Sequence, residues 1–177
     1  MHTPVVLVLA SGRGERFRAS GGDTHKLQAR LGDKTVLQHT LDAVQASGLA
    51  WHLEQSPHPG MGDSIAAAAR ATPDASGWLV LPADLPLVRG DTLRAVADAL
   101  AQHAVVVPLV QGQRGHPVGF SAACGPALRA LDGAQGAASV VRAFHAFELP
   151  LDDIGCITDI DTLADLRAAQ ALLEQRP

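Results

Sequence analysis

The chain has no tyrosine, two tryptophans and four phenylalanines, so aromatic residues make up only 3% of its 177 positions. Proteins that hold single-stranded nucleic acid use aromatic platforms, and that class is disfavoured from the outset. Basic charge is short as well: 14 Lys and Arg stand against 18 Asp and Glu, a formal net charge of −4. A phosphate backbone is bound by neutralising it with excess cations, so no nucleic-acid partner is expected, whereas a small anion in a local basic pocket is compatible. No apolar run approaches the ~20 residues needed to cross a bilayer. The opening Met-His-Thr-Pro also lacks the basic end of a signal peptide, so a cytoplasmic protein with no membrane attachment is expected. Cys124 and Cys156 form no C-x-x-C pair, and the eight histidines make neither H-x-H nor H-E-x-x-H; buried thiols are expected, not a disulfide or a zinc site. With no linker, repeat or low-complexity tract, one domain spanning 1–177 is expected.

What is present is aliphatic: 47% of residues are hydrophobic, enough for a core of Ala, Val and Leu. Val5 to Ala10 is a continuous apolar run ended by Ser-Gly and predicts a strand buried on both faces. Thr35 to Ser47 places Val36, Leu37, Leu41 and Val44 at helical spacing and stops at Gly48, a residue suited to a left-handed helix end. Strands are predicted at Trp51 to Gln55, Gly77 to Pro82, Ala104 to Val110 and Val118 to Ser121. Helices are predicted at Gly62 to Ala71, Asp91 to Gln102, Pro126 to Leu131, Ala137 to Phe144 and Asp161 to Glu174. This alternation predicts a three-layer α/β/α domain with a mainly parallel sheet, whose ligands sit beyond the carboxyl ends of the strands.

Unusual residues gather at those ends. Leu9-Ala10-Ser11-Gly12-Arg13-Gly14-Glu15-Arg16 opens a loop that runs to Lys26 and combines glycines with cations. Glycines let backbone N–H groups turn toward one anion, and cations add charge where phosphates would lie; the loop reads as a triphosphate cradle. It is not a Walker loop, which needs G-x-x-x-x-G-K-[ST]. A dinucleotide fingerprint fails too, because Phe17 stands where the third glycine must pack, which counts against an NAD-binding module. Asp84, in Pro82-Ala-Asp84-Leu-Pro86, follows a strand and is either a partial Mg²⁺ ligand or a turn cap. Asp159 is the expected second metal ligand or a plain strand-end acid, while Asp161 is expected to cap the last helix, with Thr162 and Asp165 at capping-box spacing. Gly60-Met-Gly62-Asp-Ser64 either reads a base or ribose or is an ordinary helix start. Gly112 to Pro117 is either a hairpin turn or, through His116, part of the site. Transfer to an α-phosphorus from an already ionised acceptor needs no general base, so Arg16, Lys26 and a metal on Asp84 are sufficient machinery.

Five ordered segments together resemble one family, the molybdenum cofactor nucleotidyltransferases, or MobA-like NTP transferases, with the GT-A-like nucleotidyltransferase fold. They are Leu9-Ala-Ser-Gly12 with Gly14-x-Arg16 and Lys26-Leu27; Gly60-Met-Gly-x-Ser64; Pro82-x-Asp84-x-Pro86; Gly115-His116-Pro117; and Asp159-x-Asp161-Thr-x-x-Asp165. The resemblance implies that Leu9 to Gly14, Gly62 and Ser64 bind the nucleotide, that Arg16 and Lys26 neutralise its phosphates, and that Asp84 and Asp159 hold Mg²⁺. It further implies that Gly115, His116 and Pro117 line the acceptor side, the acceptor being a molybdopterin whose terminal phosphate attacks CTP or GTP with release of pyrophosphate. A molybdoenzyme would be the onward partner. Cytidylyl members resemble Leu-Ala-Ala-Gly and guanylyl members Leu-Ala-Gly-Gly at the first loop; Ser11 matches neither, and the Gly-Met-Gly and Gly-His-Pro segments favour CTP. The family usually has a further strand and helix between the first long helix and Gly60, where only eleven residues follow Gly48. Another phosphorylated acceptor, or a non-catalytic cofactor-binding chaperone, are the alternatives.

Overall fold

The computed structural model describes residues 3–177. Strand β1 (Val5–Leu9) shows why its sequence is apolar throughout. In a strand, successive side chains point to opposite faces; Val6 and Val8 enter one core cluster, Leu7 and Leu9 the other. All four are buried, each stabilising the fold by roughly 1.5–3 kcal/mol relative to exposure. Helices cover both faces, so no position of the strand is free to be polar.

Helix α1 (Glu15–Ala19) falls within the segment expected to be loop, and the hairpin of β2 (Arg30–Leu31) and β3 (Lys34–Thr35) follows it, where no element was expected before the first long helix. Both are too short to leave a period in the sequence. Helix α2 (Val36–Ser47) starts at a Thr35–Gln38 capping box and ends at Gly48, whose φ of 73° is the left-handed geometry expected of it. Edge strand β4 (Ala50–Glu54) then leads through a short turn into α3 (Met61–Ala71), with no strand or helix between. Next come β5 (Gly77–Pro82), α4 (Gly90–Ala99), β6 (Val105–Val110), β7 (Gln113–Arg114) and β8 (Val118–Ser121). Helices α5 (Gly125–Arg129) and α6 (Ala138–Ala143), strand β9 (Phe147–Pro150) and helix α7 (Leu163–Glu174) complete the chain. β9 escapes the sequence reading because Phe-Glu-Leu-Pro is short and mostly exposed.

The sheet runs β4-β1-β5-β8-β6-β7, with β9 on β6. β4, β1, β5, β6 and β9 point one way and β7 and β8 the other, giving the expected mixed, mainly parallel sheet. α2, α4 and α7 pack on one face, and α3, α5 and α6 on the other. Half of the scarce rings go into the core, Phe17, Trp78 and Phe120 each being no more than 1% exposed, whereas Trp51 and Phe147 are exposed. Cys124 and Cys156 are buried and free. Among the described residues no helix is long and apolar enough to cross a membrane.

Candidate active site

Register decides which loops meet. β1 and β5 are parallel neighbours with Leu9 opposite Pro82, so the segments after them leave the sheet side by side. The Ala83 N–H donates to the Leu9 carbonyl at 2.9 Å, and the buried Thr40 hydroxyl of α2 donates to the Ala83 carbonyl at 2.7 Å. Asp84 is thereby pinned next to the glycine-rich loop.

That loop turns at Gly14, whose φ of 67° favours glycine and starts α1; Arg16 follows on the first turn while Phe17 is buried beneath. A Cβ on Gly12 would meet nothing within 4 Å, so this glycine borders open space. His25 closes the loop against the segment that carries Lys26. Its Nδ1 accepts from the Leu27 N–H at 3.2 Å, which leaves Nε2 as the protonated nitrogen, donating to the Gly12 carbonyl at 2.7 Å. Nothing in the sequence pattern signals this clamp.

A cavity of about 470 Å³ lies between these segments. Its lining combines the charged Arg13, Arg16, Lys26, Asp84 and Asp161 with the segment from His58 to Met61, Ser64, and the loop residues Leu9, Ser11, Gly12 and Gly14. Lys26 Nζ is 2.8 Å from Asp84 and 3.9 Å from Asp161, and Arg16 reaches Asp161 at 2.7 Å. Two cations and two carboxylates thus form one network. The Lys26 and Asp84 side chains are only 15% and 17% exposed, so this pair is weakly screened, whereas Arg16 at 81% is largely solvated.

Several expected positions need correction. Asp159 is exposed and does not line the cavity; the carboxylate that joins Asp84 in the Lys26 network is Asp161, while Glu15, also in the lining, pairs with Arg13. Thr162, not Asp161, caps α7, with Asp165 completing the capping box. The cap one residue later frees the Asp161 side chain, while the Ile160 N–H donates to the Asp84 carbonyl at 3.0 Å and draws the segment in. Gly62 faces away from the cavity: its N–H donates to the Gly133 carbonyl at 2.8 Å, and a Cβ on it would meet Asp132 O at 2.4 Å. It is there for close backbone packing. Ala10 also stays outside the lining, its N–H donating to the Glu54 carbonyl at 2.8 Å. Ser11 and Ser64 do meet, oxygen to oxygen at 2.7 Å, tying the loop to α3.

Gly115, His116 and Pro117 also lie outside the cavity lining. The His116 N–H donates to the Cys156 carbonyl at 3.0 Å, and Gly115 packs so tightly on Cys156 that a Cβ would meet its oxygen at 2.4 Å. Burial lowers the His116 pKa, against the upward pull of Asp84 and Asp159. The imidazole is thus on the Asp84 side of the site, beyond the cavity.

Among the described residues no cluster of three or more His, Cys, Asp and Glu could hold a metal alone. Mg²⁺ takes one or two carboxylates and completes its shell with phosphate oxygens and water. Asp84 and Asp161, bridged by one lysine, fit that incomplete donor set.

Residues 6–149 match the MobA-like NTP transferase domain. The chain is 33% identical over 113 residues to the bifunctional protein GlmU of Alkalilimnicola ehrlichii, covering 51% of this chain and 24% of that protein. It spans about a quarter of the length of the curated relatives it matches. Rv0371c from Mycobacterium tuberculosis superposes with a TM-score of 0.80 at 26% identity, covering 96% of this chain and 98% of that one; a complex of the same protein with manganese is also similar. Molybdopterin-guanine dinucleotide biosynthesis protein A from Archaeoglobus fulgidus shares the fold, with a TM-score of 0.71 at 17% identity, over 97% of this chain and 100% of its own. The chain belongs to the MobA-like NTP transferase family.

Proposed function

We propose that this chain is a cytidylyltransferase that moves CMP from CTP onto the terminal phosphate of a molybdopterin-type acceptor, releasing pyrophosphate. The carrying observation is the convergence of Arg16, Lys26, Asp84 and Asp161 on one cavity beside a glycine-rich loop. Such a set stabilises charge on a triphosphate and contains none of the apparatus for nucleophilic catalysis by a side chain.

Asp84 and Asp161 would hold Mg²⁺, which when bound neutralises phosphate charge and orients the α-phosphorus. Without nucleotide the two carboxylates are occupied by Lys26 and Arg16. As the triphosphate enters, Lys26 and Arg16 would turn to its oxygens and free their carboxylates for the metal. The loop backbone from Ser11 to Gly14 faces the phosphates, and Arg13 adds positive charge at the rim. An acceptor phosphate is already ionised at neutral pH and needs no base. It would approach from the side of Asp84 on which His116 sits.

The similarity to a molybdopterin-guanine dinucleotide biosynthesis protein supports a guanylyl variant of the same chemistry. Pyrophosphate release is the test: with Mg²⁺ and a molybdopterin acceptor, CTP is turned over and GTP, UTP and ATP are not. Turnover with GTP alone selects the guanylyl variant. Nucleotide binding with turnover only on another phosphorylated acceptor retires the molybdopterin assignment, and cofactor binding without any turnover favours a chaperone.

A further inference from the structure

Two histidines and a backbone amide converge on one buried carboxylate, and one of those histidines, His58, lines the cavity. Glu54 ends β4, is 7% exposed, and accepts hydrogen bonds from His58 Nε2 at 3.2 Å, the Ser56 N–H at 3.0 Å and His52 Nε2 at 3.4 Å. A carboxylate so enclosed is costly unless its oxygens are satisfied. Burial pushes its pKa upward, but the bonds from His58, Ser56 and His52 together outweigh burial and hold it below the ordinary glutamate value. Glu54 is therefore ionised at neutral pH and can only accept.

The direction of the His58 bond follows: Nε2 carries the hydrogen. In the neutral ring the other nitrogen, Nδ1, then presents a lone pair. No other hydrogen bond of His58 is found among the described residues, and its ring lines the cavity near Met61 and Ser64. With phosphates drawn to Lys26 and Arg16, the base of a bound nucleotide lies toward this wall. Among the described residues no Phe or Trp lines the cavity, and His58 carries the one aromatic ring found in its lining.

We propose that His58, oriented by Glu54, is a specificity-determining residue whose Nδ1 accepts a hydrogen bond from the exocyclic amino group of the base and so selects cytosine over uracil. The inference rests on the nucleotidyl-transfer reading above and deepens it. CTP and UTP share sugar, triphosphate and ring size, but at this edge one offers an amino donor and the other a carbonyl acceptor. A lone pair attracts the first and repels the second.

Calorimetric titration of Mg-CTP and Mg-UTP into the wild type, His58→Phe and Glu54→Leu tests it. The wild type prefers CTP by about tenfold, the worth of one net hydrogen bond. His58→Phe keeps a ring, still binds both nucleotides and brings the ratio near one. Glu54→Leu removes the oxygen that accepts from Nε2, frees the ring to turn and brings the ratio toward one; a merely structural role would weaken both nucleotides alike. Imidazole ¹⁵N spectra of the nucleotide-free protein show protonated Nε2 and bare Nδ1 at His58. A wild-type ratio of one, a ratio kept in His58→Phe, or a protonated Nδ1 in neutral His58 overturns the proposal and leaves nucleotidyl transfer standing. Failure of the wild type to bind any of the four NTPs sinks the underlying reading instead. Should His58→Phe not fold, the Glu54→Leu ratio and the ¹⁵N pattern still decide.

Discussion

The Lys26 ammonium lies 2.8 Å from the Asp84 carboxylate, although 58 positions separate the two residues in the chain. One belongs to the end of the glycine-rich loop, the other to the turn after β5, and the parallel pairing of β1 with β5 makes them neighbours. Every prediction about turnover follows from that contact and its extension to Asp161.

Asp84→Asn retains the shape of the side chain and removes its charge. Pyrophosphate release is expected to fall by about 10²–10³-fold, the usual effect of losing one group that stabilises transition-state charge. Circular dichroism should remain that of the wild type. Full turnover in this variant would remove Asp84 from the reaction.

The two acids of the Asp159-Ile-Asp161 segment should behave differently. Asp161→Asn weakens Mg-CTP binding and turnover, because Asp161 shares the cavity with Lys26 and Arg16. Asp159→Asn, at an exposed position outside that cavity, leaves both within about twofold, as surface substitutions usually do. Parallel titrations of the two variants make the comparison, and a reversed pattern restores Asp159 as the metal ligand.

Arg16→Ala is expected to raise the KM for CTP about tenfold or more, the loss of a charge-assisted contact to phosphate. Its side chain is 81% exposed, and surface ion pairs contribute only ~0–1 kcal/mol. Thermal melting should hardly move, so a large fall in Tm would show that Arg16 supports the fold instead.

Gly62→Ala places a methyl 2.4 Å from the Asp132 carbonyl oxygen, and Gly60→Ala places one 2.3 Å from that of Gly133. Both obstacles are backbone and can yield only by moving a segment. Each variant should lose about 1–3 kcal/mol in urea unfolding, and weaker nucleotide binding should accompany the shift of Met61 and Ser64.

His116 links acidity to stability. Burial sets its folded pKa below 6.5, so as pH falls through 6.5 the unfolded chain takes up the proton first and the folded state loses ground. Denaturation of the wild type should therefore become easier as pH falls below 6.5, and His116→Asn should flatten the slope there. Glu54 and Asp165 have lowered pKa values and contribute stability that fades only below their ordinary values of 4.5 and 3.8, at more acid pH. An unchanged slope in the variant would contradict the burial argument.

Local order was legible from residues alone because it is local. An unbroken apolar run marks β1 as buried on both faces, Thr35, Gln38 and Gly48 bracket α2, and Thr162 with Asp165 starts α7. The motifs around Gly14, Lys26 and Asp84 were visible for the same reason. Short elements such as α1, β2, β3 and β9 left no period to read.

Tertiary structure alone decided which acid faces the cavity, because the long-range bond of the Ile160 N–H to the Asp84 carbonyl draws the segment in and Asp161 meets Arg16 and Lys26, while Asp159 stays exposed. It also decided that Gly62 serves packing, since its obstacle, Asp132, lies far along the chain. The same holds for the carboxylate beneath His58 and for the His25 clamp on Gly12. Sequence patterns encode backbone geometry and burial over a few residues; the direction of a single side chain depends on what the rest of the chain brings against it.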